Sequence, residues 1–291
     1  ALKEKKGLPL QAFFHQGGNG GPPPMKLMNR WFTRYLFGVQ NGVEKDPRSW
    51  IVREGKKRTE PTPYEDYPNP GAAPVRLYPV KGGNETGELI FKDRAGQGSE
   101  KLIDNYELKG SVLASQEKGD SRLLYATAKL SRPVHISGTA RIRIKVASSQ
   151  PAVNLSVWLV SLPWTKGGRT NDNLISRGWA DPQNHESIRE SKPLDPGKFY
   201  ELDFDFQPDD QVIPAGQRIG LMVFSSDKDF TLWPKPGTEL TVDLDATSIE
   251  LPVVGGSKAF RRATRPKRRR LSAPGVPIHH PLPRTNGLGG F

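Results

Sequence analysis

The sequence predicts a mainly β protein, folded as a sandwich or jelly roll, on three observations. Between about residues 48 and 254, apolar and polar residues alternate with the period of two expected of half-buried strands. Gly, Pro, Asn and Asp interrupt that alternation at short intervals, where turns are needed. No long helical segment separates the runs, so strands stacked into a sandwich are the expected solution.

Residues 8–14 make a short apolar run of strand character. The glycine-rich turn His15-Gln16-Gly17-Gly18-Asn19-Gly20-Gly21 follows, then Pro22, Pro23 and Pro24. Met28, Trp31, Phe32, Tyr35 and Leu36 stand at i, i+3, i+4, i+7 and i+8, which places them on one face of a helix. Pro24 suits its first turn and Gly38 its stop. Strand, turn and helix in this order are the local architecture of an α/β fold. Further on, Ile142, Ile144 and Val146 alternate with Arg141, Arg143 and Lys145. Val153, Leu155, Val157 and Leu159 form another apolar face, and Tyr200, Leu202, Phe204 and Phe206 another, against Glu201, Asp203 and Asp205. Ile219, Leu221 and Val223 repeat the pattern, as do Leu240, Val242 and Leu244 against Thr241, Asp243 and Asp245. Strands of this kind expect one buried and one wet face, and at least seven candidates are present.

The 291 residues suffice for one large or two modest domains. A mean hydropathy of −0.60 and the lack of any apolar run near the roughly 18 residues of a membrane span predict a soluble protein. The chain opens on Ala1 and a Lys-Glu-Lys-Lys stretch without an apolar leader, as a fragment also would. With no cysteine, disulfides, thiolate nucleophiles and Cys-based zinc sites are excluded, and a cytoplasmic or a secreted location is equally compatible. Of the formal charge of +12, nine basic residues lie at 258–291 with no Asp or Glu, so only +3 belongs to the rest. That segment, rich in Arg, Pro and Gly, is expected to be a disordered tail. Its run at residues 261–270 is the kind that binds nucleic acid or anionic lipid by counterion release. A solvated extension is the preferred reading, and no nucleic-acid partner is expected.

Nucleophilic hydrolysis needs a serine on a tight turn, an imidazole base and an orienting carboxylate. No Gly-x-Ser-x-Gly elbow occurs, and Ser111, in Lys109-Gly110-Ser111-Val112, lacks the second glycine and reads as a strand edge. His15, His135, His185, His279 and His280 show no metal-ligand spacing beyond the adjacent pair in the tail, so no metal is expected. No phosphate-cradling or dinucleotide glycine pattern follows a strand, so no cofactor is expected. The residues alone read as a binding or accessory module.

The turn His15-Gln16-Gly17-Gly18-Asn19-Gly20-Gly21-Pro22 with the helix Met28-Asn29-Arg30-Trp31-Phe32 resembles the histidine-bearing segment of the Xaa-Pro dipeptidyl-peptidase and cocaine esterase group of serine hydrolases. Arg177-Gly178-Trp179, His185-Glu186-Ser187-Ile188, Pro193-Leu194-Asp195-Pro196-Gly197 with Tyr200-Glu201-Leu202, Pro214-Ala215-Gly216-Gln217-Arg218-Ile219 and Ser225-Ser226-Asp227 are similar to its C-terminal jelly roll. The resemblance covers about residues 8–256. It implies a jelly-roll β-sandwich at residues 47–256, preceded at 1–46 by the last strand–turn–helix of an α/β-hydrolase domain and followed by a disordered basic tail at 257–291.

The same resemblance places the nucleophile and the acidic triad member upstream of the turn, in an expected catalytic domain. It puts the family's base histidine at the position of Asn19, whose amide cannot take a proton from a serine hydroxyl. Asn19 reads either as an inactivated catalytic position or as a one-base change from a histidine codon. His15 is the family's first histidine; a structural role on the turn is favoured over that of substitute base. His135 and His185, within the sandwich, are expected to be structural. Trp31, Phe32, Tyr35 and Phe37 are expected to pack the helix, and Trp164, Trp179 and Trp233 to pack beneath loops. The implied function is that of a C-terminal fragment, itself inactive, of a serine exopeptidase that releases N-terminal Xaa-Pro dipeptides through an acyl-enzyme. Its partners would be a peptide with Pro at the second position, the upstream catalytic domain and a further copy of the enzyme in a homo-oligomer. The alternatives are a related acyl or ester hydrolase and a non-catalytic β-sandwich binding module.

Overall fold

A computed structural model describes residues 8–15, 21–53, 57–165 and 170–265. Two sheets of unequal size organise them. The smaller contains strand β1 (Ala12–His15), which runs parallel to β2 (Ser49–Val52), with β3 (Thr62–Tyr64) antiparallel on the far side of β2. Helix α1 (Met25–Phe37) crosses between β1 and β2. Its limits are those the sequence predicts, since Pro24 precedes it and Gly38 ends it in the left-handed conformation that a glycine adopts without Cβ strain.

The larger sheet folds over on itself as a sandwich. Its strands are β4 (Ala72–Val80), β5 (Gly87–Ile90), β6 (Ser99–Ile103), β7 (Leu123–Ala126), β8 (Val134–Gly138), β9 (Arg141–Ser148), β10 (Leu155–Leu162), β11 (Leu174–Ala180), β12 (Phe199–Asp205), β13 (Asp209–Ile213), β14 (Arg218–Phe224) and β15 (Glu239–Val254). One layer runs β11-β10-β14-β7-β5 and the other is built around β12-β9-β15, with β6, β8 and β13 joined to it. β4 belongs to both layers: residues 72–77 pair with β15, and residues 78–80 pair with β5. The core lies between the layers, where Val75, Leu77, Ile142, Ile144, Leu155, Val157, Leu221, Val242 and Ile249 are buried.

The β9–β12 pair shows why alternation is so legible here. Ile142 faces Phe204, Ile144 faces Leu202 and Val146 faces Tyr200 toward the core, while Arg141, Arg143 and Lys145 stand opposite Asp205, Asp203 and Glu201 on the wet side. A one-residue slip would drive three charges into the core, so the register is strongly specified.

Three expectations are corrected. β10 and β14 lack a wet face: Trp158, Val160, Met222 and Phe224 pack outward against Leu113 and Ala114 of a short helix, α2 (Gly110–Ser115), in a second apolar cluster. Ser111 accordingly sits on that helix and not on a strand edge. Residues 257–264 are not disordered: helix α3 (Gly256–Thr264) buries Phe260 and Ala263, one turn apart, beside β4, β8 and β15. Lys258, Arg261 and Arg262 therefore belong to a folded element, while residues 266–291 lie outside the described residues. β2 and β3 continue the sheet of β1, so the small sheet extends to Tyr64.

Candidate functional site

His15 ends β1, half-buried, directly opposite Val52 in the parallel register, with its ring 5.9 Å from that of Phe13. Asn19 lies outside the described residues. In the helix beyond it, none of α1's residues is fully buried. Phe32 is half-exposed, and Leu36 and Phe37 are largely exposed. The rings of Trp31 and Tyr35 meet at 4.6 Å, tilted by 49°. Between α1, β1 and β2 opens a groove of about 260 Å³ lined by Phe13, Leu27, Met28, Trp31 and Trp50. The Trp50 indole N–H is buried beside it without a hydrogen-bond partner among the described residues. Polar contacts hold α1 to the segment that follows it: Arg30 donates to Asp46 at 2.6 Å, Arg34 pairs with Glu44, and the Asn41 amide donates to the Arg30 carbonyl at 2.6 Å.

Where the small sheet meets the sandwich, one carboxylate gathers donors from both. Asp210, on β13 and almost fully buried, accepts through Oδ1 from Arg53 Nε at 3.1 Å, Tyr64 hydroxyl at 3.0 Å and His135 Nε2 at 3.1 Å. Burial opposes ionisation of Asp210, yet the hydrogen bonds from His135, Ser137 and Tyr64 outweigh it and hold its carboxyl below the usual range. The Tyr64 phenol is pushed up to about 12, chiefly by burial and further by the Asp210 charge. His135 thus has a partner in this junction, in keeping with a structural role. Sequence reasoning missed Asp210, Arg53 and Tyr64, because no local signal links residues 157 and 146 positions apart.

The Arg-Gly-Trp and Ser-Ser-Asp stretches, separate in sequence, are brought together on the outer face of the β10–β11–β14 layer. Asp227 Oδ2 accepts from the indole N–H of Trp158 at 3.0 Å and of Trp179 at 3.1 Å. The Arg177 guanidinium lies over the rings of Trp158 and Phe230 at 4.9 and 4.6 Å. Burial raises the Asp227 carboxyl above its ordinary value against those two indole donors, and burial likewise lowers the Arg177 guanidinium. Trp233, expected beneath a loop, is instead more than half exposed and stacks on Tyr106 at 5.2 Å. Nearby, His185 donates from Nδ1 to the Pro182 carbonyl at 3.1 Å, a turn-fixing contact. No group of three metal-ligating side chains occurs among the described residues.

A family model described as the X-Pro dipeptidyl-peptidase C-terminal non-catalytic domain matches residues 41–269. A putative Xaa-Pro dipeptidyl-peptidase of Rhodopirellula baltica is 58% identical over 259 residues, covering 88% of this chain and 41% of that protein. One of Bacillus anthracis is 34% identical over 260 residues, covering 85% and 40%. The chain thus spans about two-fifths of the length of these relatives. Among solved structures, an aminopeptidase from a marine sediment Thaumarchaeota archaeon superposes with a TM-score of 0.61 at 18% identity, over 78% of this chain and 43% of that one. An α-amino acid ester hydrolase gives 0.59 at 18%, over 78% and 44%, and a CocE/NonD family hydrolase from Staphylococcus aureus gives 0.59 at 13%, over 79% and 45%. At these identities the structural likeness speaks for the fold, and the jelly-roll sandwich is that fold. With the match over residues 41–269 and the Rhodopirellula relative, the chain belongs to the X-Pro dipeptidyl-peptidase C-terminal non-catalytic domain family.

Proposed function

We propose that this chain is the C-terminal part of a serine dipeptidyl-peptidase, contributing the last strand, turn and helix of the hydrolase domain together with the sandwich, and that it has no turnover by itself. The observation that carries this reading is the state of β1 and α1. β1 pairs in parallel with β2 on one edge alone among the described residues, and α1 buries none of its residues. Parallel strands belong to sheets covered on both faces. An apolar helix face beside an open parallel edge is therefore the margin of a larger α/β sheet, and the occupant is the hydrolase domain that would precede residue 8. A self-contained binding module has no use for this element. In the intact enzyme a serine of that domain would attack the peptide carbonyl, a base on the turn after β1 would shuttle the proton, and an oxyanion hole would stabilise the tetrahedral intermediate. The base position is Asn19, which cannot serve. The substrate class, peptides with Pro at the second position, comes from the names of the relatives at 58% and 34% identity.

The purified 291-residue protein, assayed with an Ala-Pro chromogenic substrate, is expected to show no release above buffer. Turnover by this chain would overturn both the missing nucleophile and the role given to Asn19. The same assay on a polypeptide carrying the upstream domain, with Asn19→His alongside the native residue, is expected to show activity in the histidine form.

A further inference from the structure

The non-catalytic sandwich is joined to the small sheet in an uneven way. No strand of the small sheet pairs with a strand of the sandwich among the described residues. Polar contacts between them converge on two adjacent residues of β13. Asp210 takes the donors of Arg53 and Tyr64, both from the small sheet, and of His135 on β8. The backbone carbonyl of its neighbour Asp209 accepts from the Tyr67 hydroxyl at 3.1 Å. The Tyr67 ring in turn lies 4.7 Å from that of Phe14 on β1, tilted against it by 37°.

Register gives this junction its direction. β1 and β2 are parallel, so their C-terminal ends lie side by side, and the final pair is His15 with Val52. Arg53 is the residue immediately after Val52, as Gln16 is the residue immediately after His15. The Asp210–Arg53 contact thus grips β2 at the level where the chain leaves β1 toward Asn19, while Tyr67 grips β1 itself through Phe14. An apolar seam would let the two parts slide. A buried carboxylate held by three donors has one satisfactory geometry, because any displacement leaves a charge without its partners inside the protein.

We infer that Asp210 is a positioning residue, the latch by which the sandwich fixes the C-terminal ends of β1 and β2 and so the point from which the chain leaves β1 after His15. A consequence for catalysis rests on the proposed reading of residues 15–19; the latch itself does not. It assigns a task to the sandwich, which becomes the support of a neighbouring domain's catalytic turn.

The test is amide hydrogen exchange on the full 291-residue chain. Arg53→Ala is expected to speed exchange of the β1 and β2 amides by about ten-fold or more with the β9 and β10 amides at native rates, and Asp210→Asn to speed the β1 and β2 amides more than those of β9 and β10. Arg53→Lys, which keeps a donor for Asp210, is expected to recover much of the protection. If Asp210→Asn fails to fold, Arg53→Ala decides alone, since Arg53 is partly exposed at the rim of the sheet. Unchanged exchange in β1 and β2, or equal acceleration throughout the sandwich in Arg53→Ala, overturns the latch. In a polypeptide carrying the upstream domain and a working base, Arg53→Ala is expected to lower kcat at unchanged KM. Faster exchange with native kcat would uphold the latch and overturn the reading of residues 15–19 as the catalytic turn.

Discussion

Arg122 is fully buried, and among the described residues five backbone carbonyls rather than a carboxylate answer it. Its guanidinium donates to Gly83 at 2.7 Å, Asn84 at 3.2 Å, Glu85 at 2.6 Å, Gln116 at 2.7 Å and Leu113 at 3.4 Å. One side chain thereby ties the turn before β5 to the C-terminal end of α2. Arg122→Met is expected to strand those carbonyls and lower stability by about 3–5 kcal/mol, read from urea unfolding at unchanged m. Arg122→Lys should recover only part, because an ammonium lacks the fork that reaches both segments. Asp210 and Asp227 show how environment separates two buried carboxylates. Asp210 has its pKa lowered by donors, so its contribution to stability is present above the ordinary Asp value and is lost as pH falls through the lowered native value. Asp227 has its pKa raised, so it works with the opposite sign, and its contribution is lost as pH rises through the raised value. Asp210→Asn is expected to cost about 2 kcal/mol at pH 7. Its Tm deficit against the native chain should narrow as pH falls below about 4, and a deficit independent of pH would refute the assignment.

At the scale of elements, legibility followed how much of an element's partner is local. α1 was readable to its limits, because Pro24, Gly38 and the 28/31/32/35/36 spacing are all in its own sequence. β9 and β12 were readable because their wet faces are charged. β10 was read half correctly: Leu155, Val157 and Leu159 face the core as expected, but Ser156, Trp158 and Val160 lie beneath α2 and neighbouring segments. Nothing in β10 itself shows that a helix from 45 residues upstream covers it. The approach is close. A Cβ on Gly110 would stand 2.3 Å from the Trp158 ring, so Gly110→Ala is expected to cost about 1–3 kcal/mol through overpacking, measured by denaturant unfolding. α3 was missed because its apolar stripe is only Phe260 and Ala263, set among Lys258, Arg261 and Arg262. Phe260 nevertheless meets Phe91 edge-on at 5.3 Å, and Arg261 lies over the Phe91 ring at 4.3 Å. Phe260→Ala should cost about 3–5 kcal/mol, and truncation after residue 255 should likewise lower the unfolding midpoint. A midpoint unmoved by both changes would return α3 to the status of a dispensable tail.

For the whole molecule, alternation, turn residues and the periodicity of one helix were enough to determine a mainly β sandwich preceded by a strand–turn–helix. Both follow from burial patterns repeated every two or 3.6 residues, which any segment carries within itself. The family motifs in their order determined the relationship that the match over residues 41–269 shows. Tertiary structure alone decided the rest, in each case because the deciding contact lies far away in the chain. It placed β2 and β3 in the sheet of β1. It brought Arg177, Trp179 and Asp227 to one spot on the outer face of a sheet layer. It also joined Asp210 to Arg53 and Tyr64 across more than 140 residues, turning a buried charge into the seam between the sandwich and the sheet that leads to Asn19. A charge buried in isolation costs too much to persist, so Asp210 had to find donors; only the fold determined which ones.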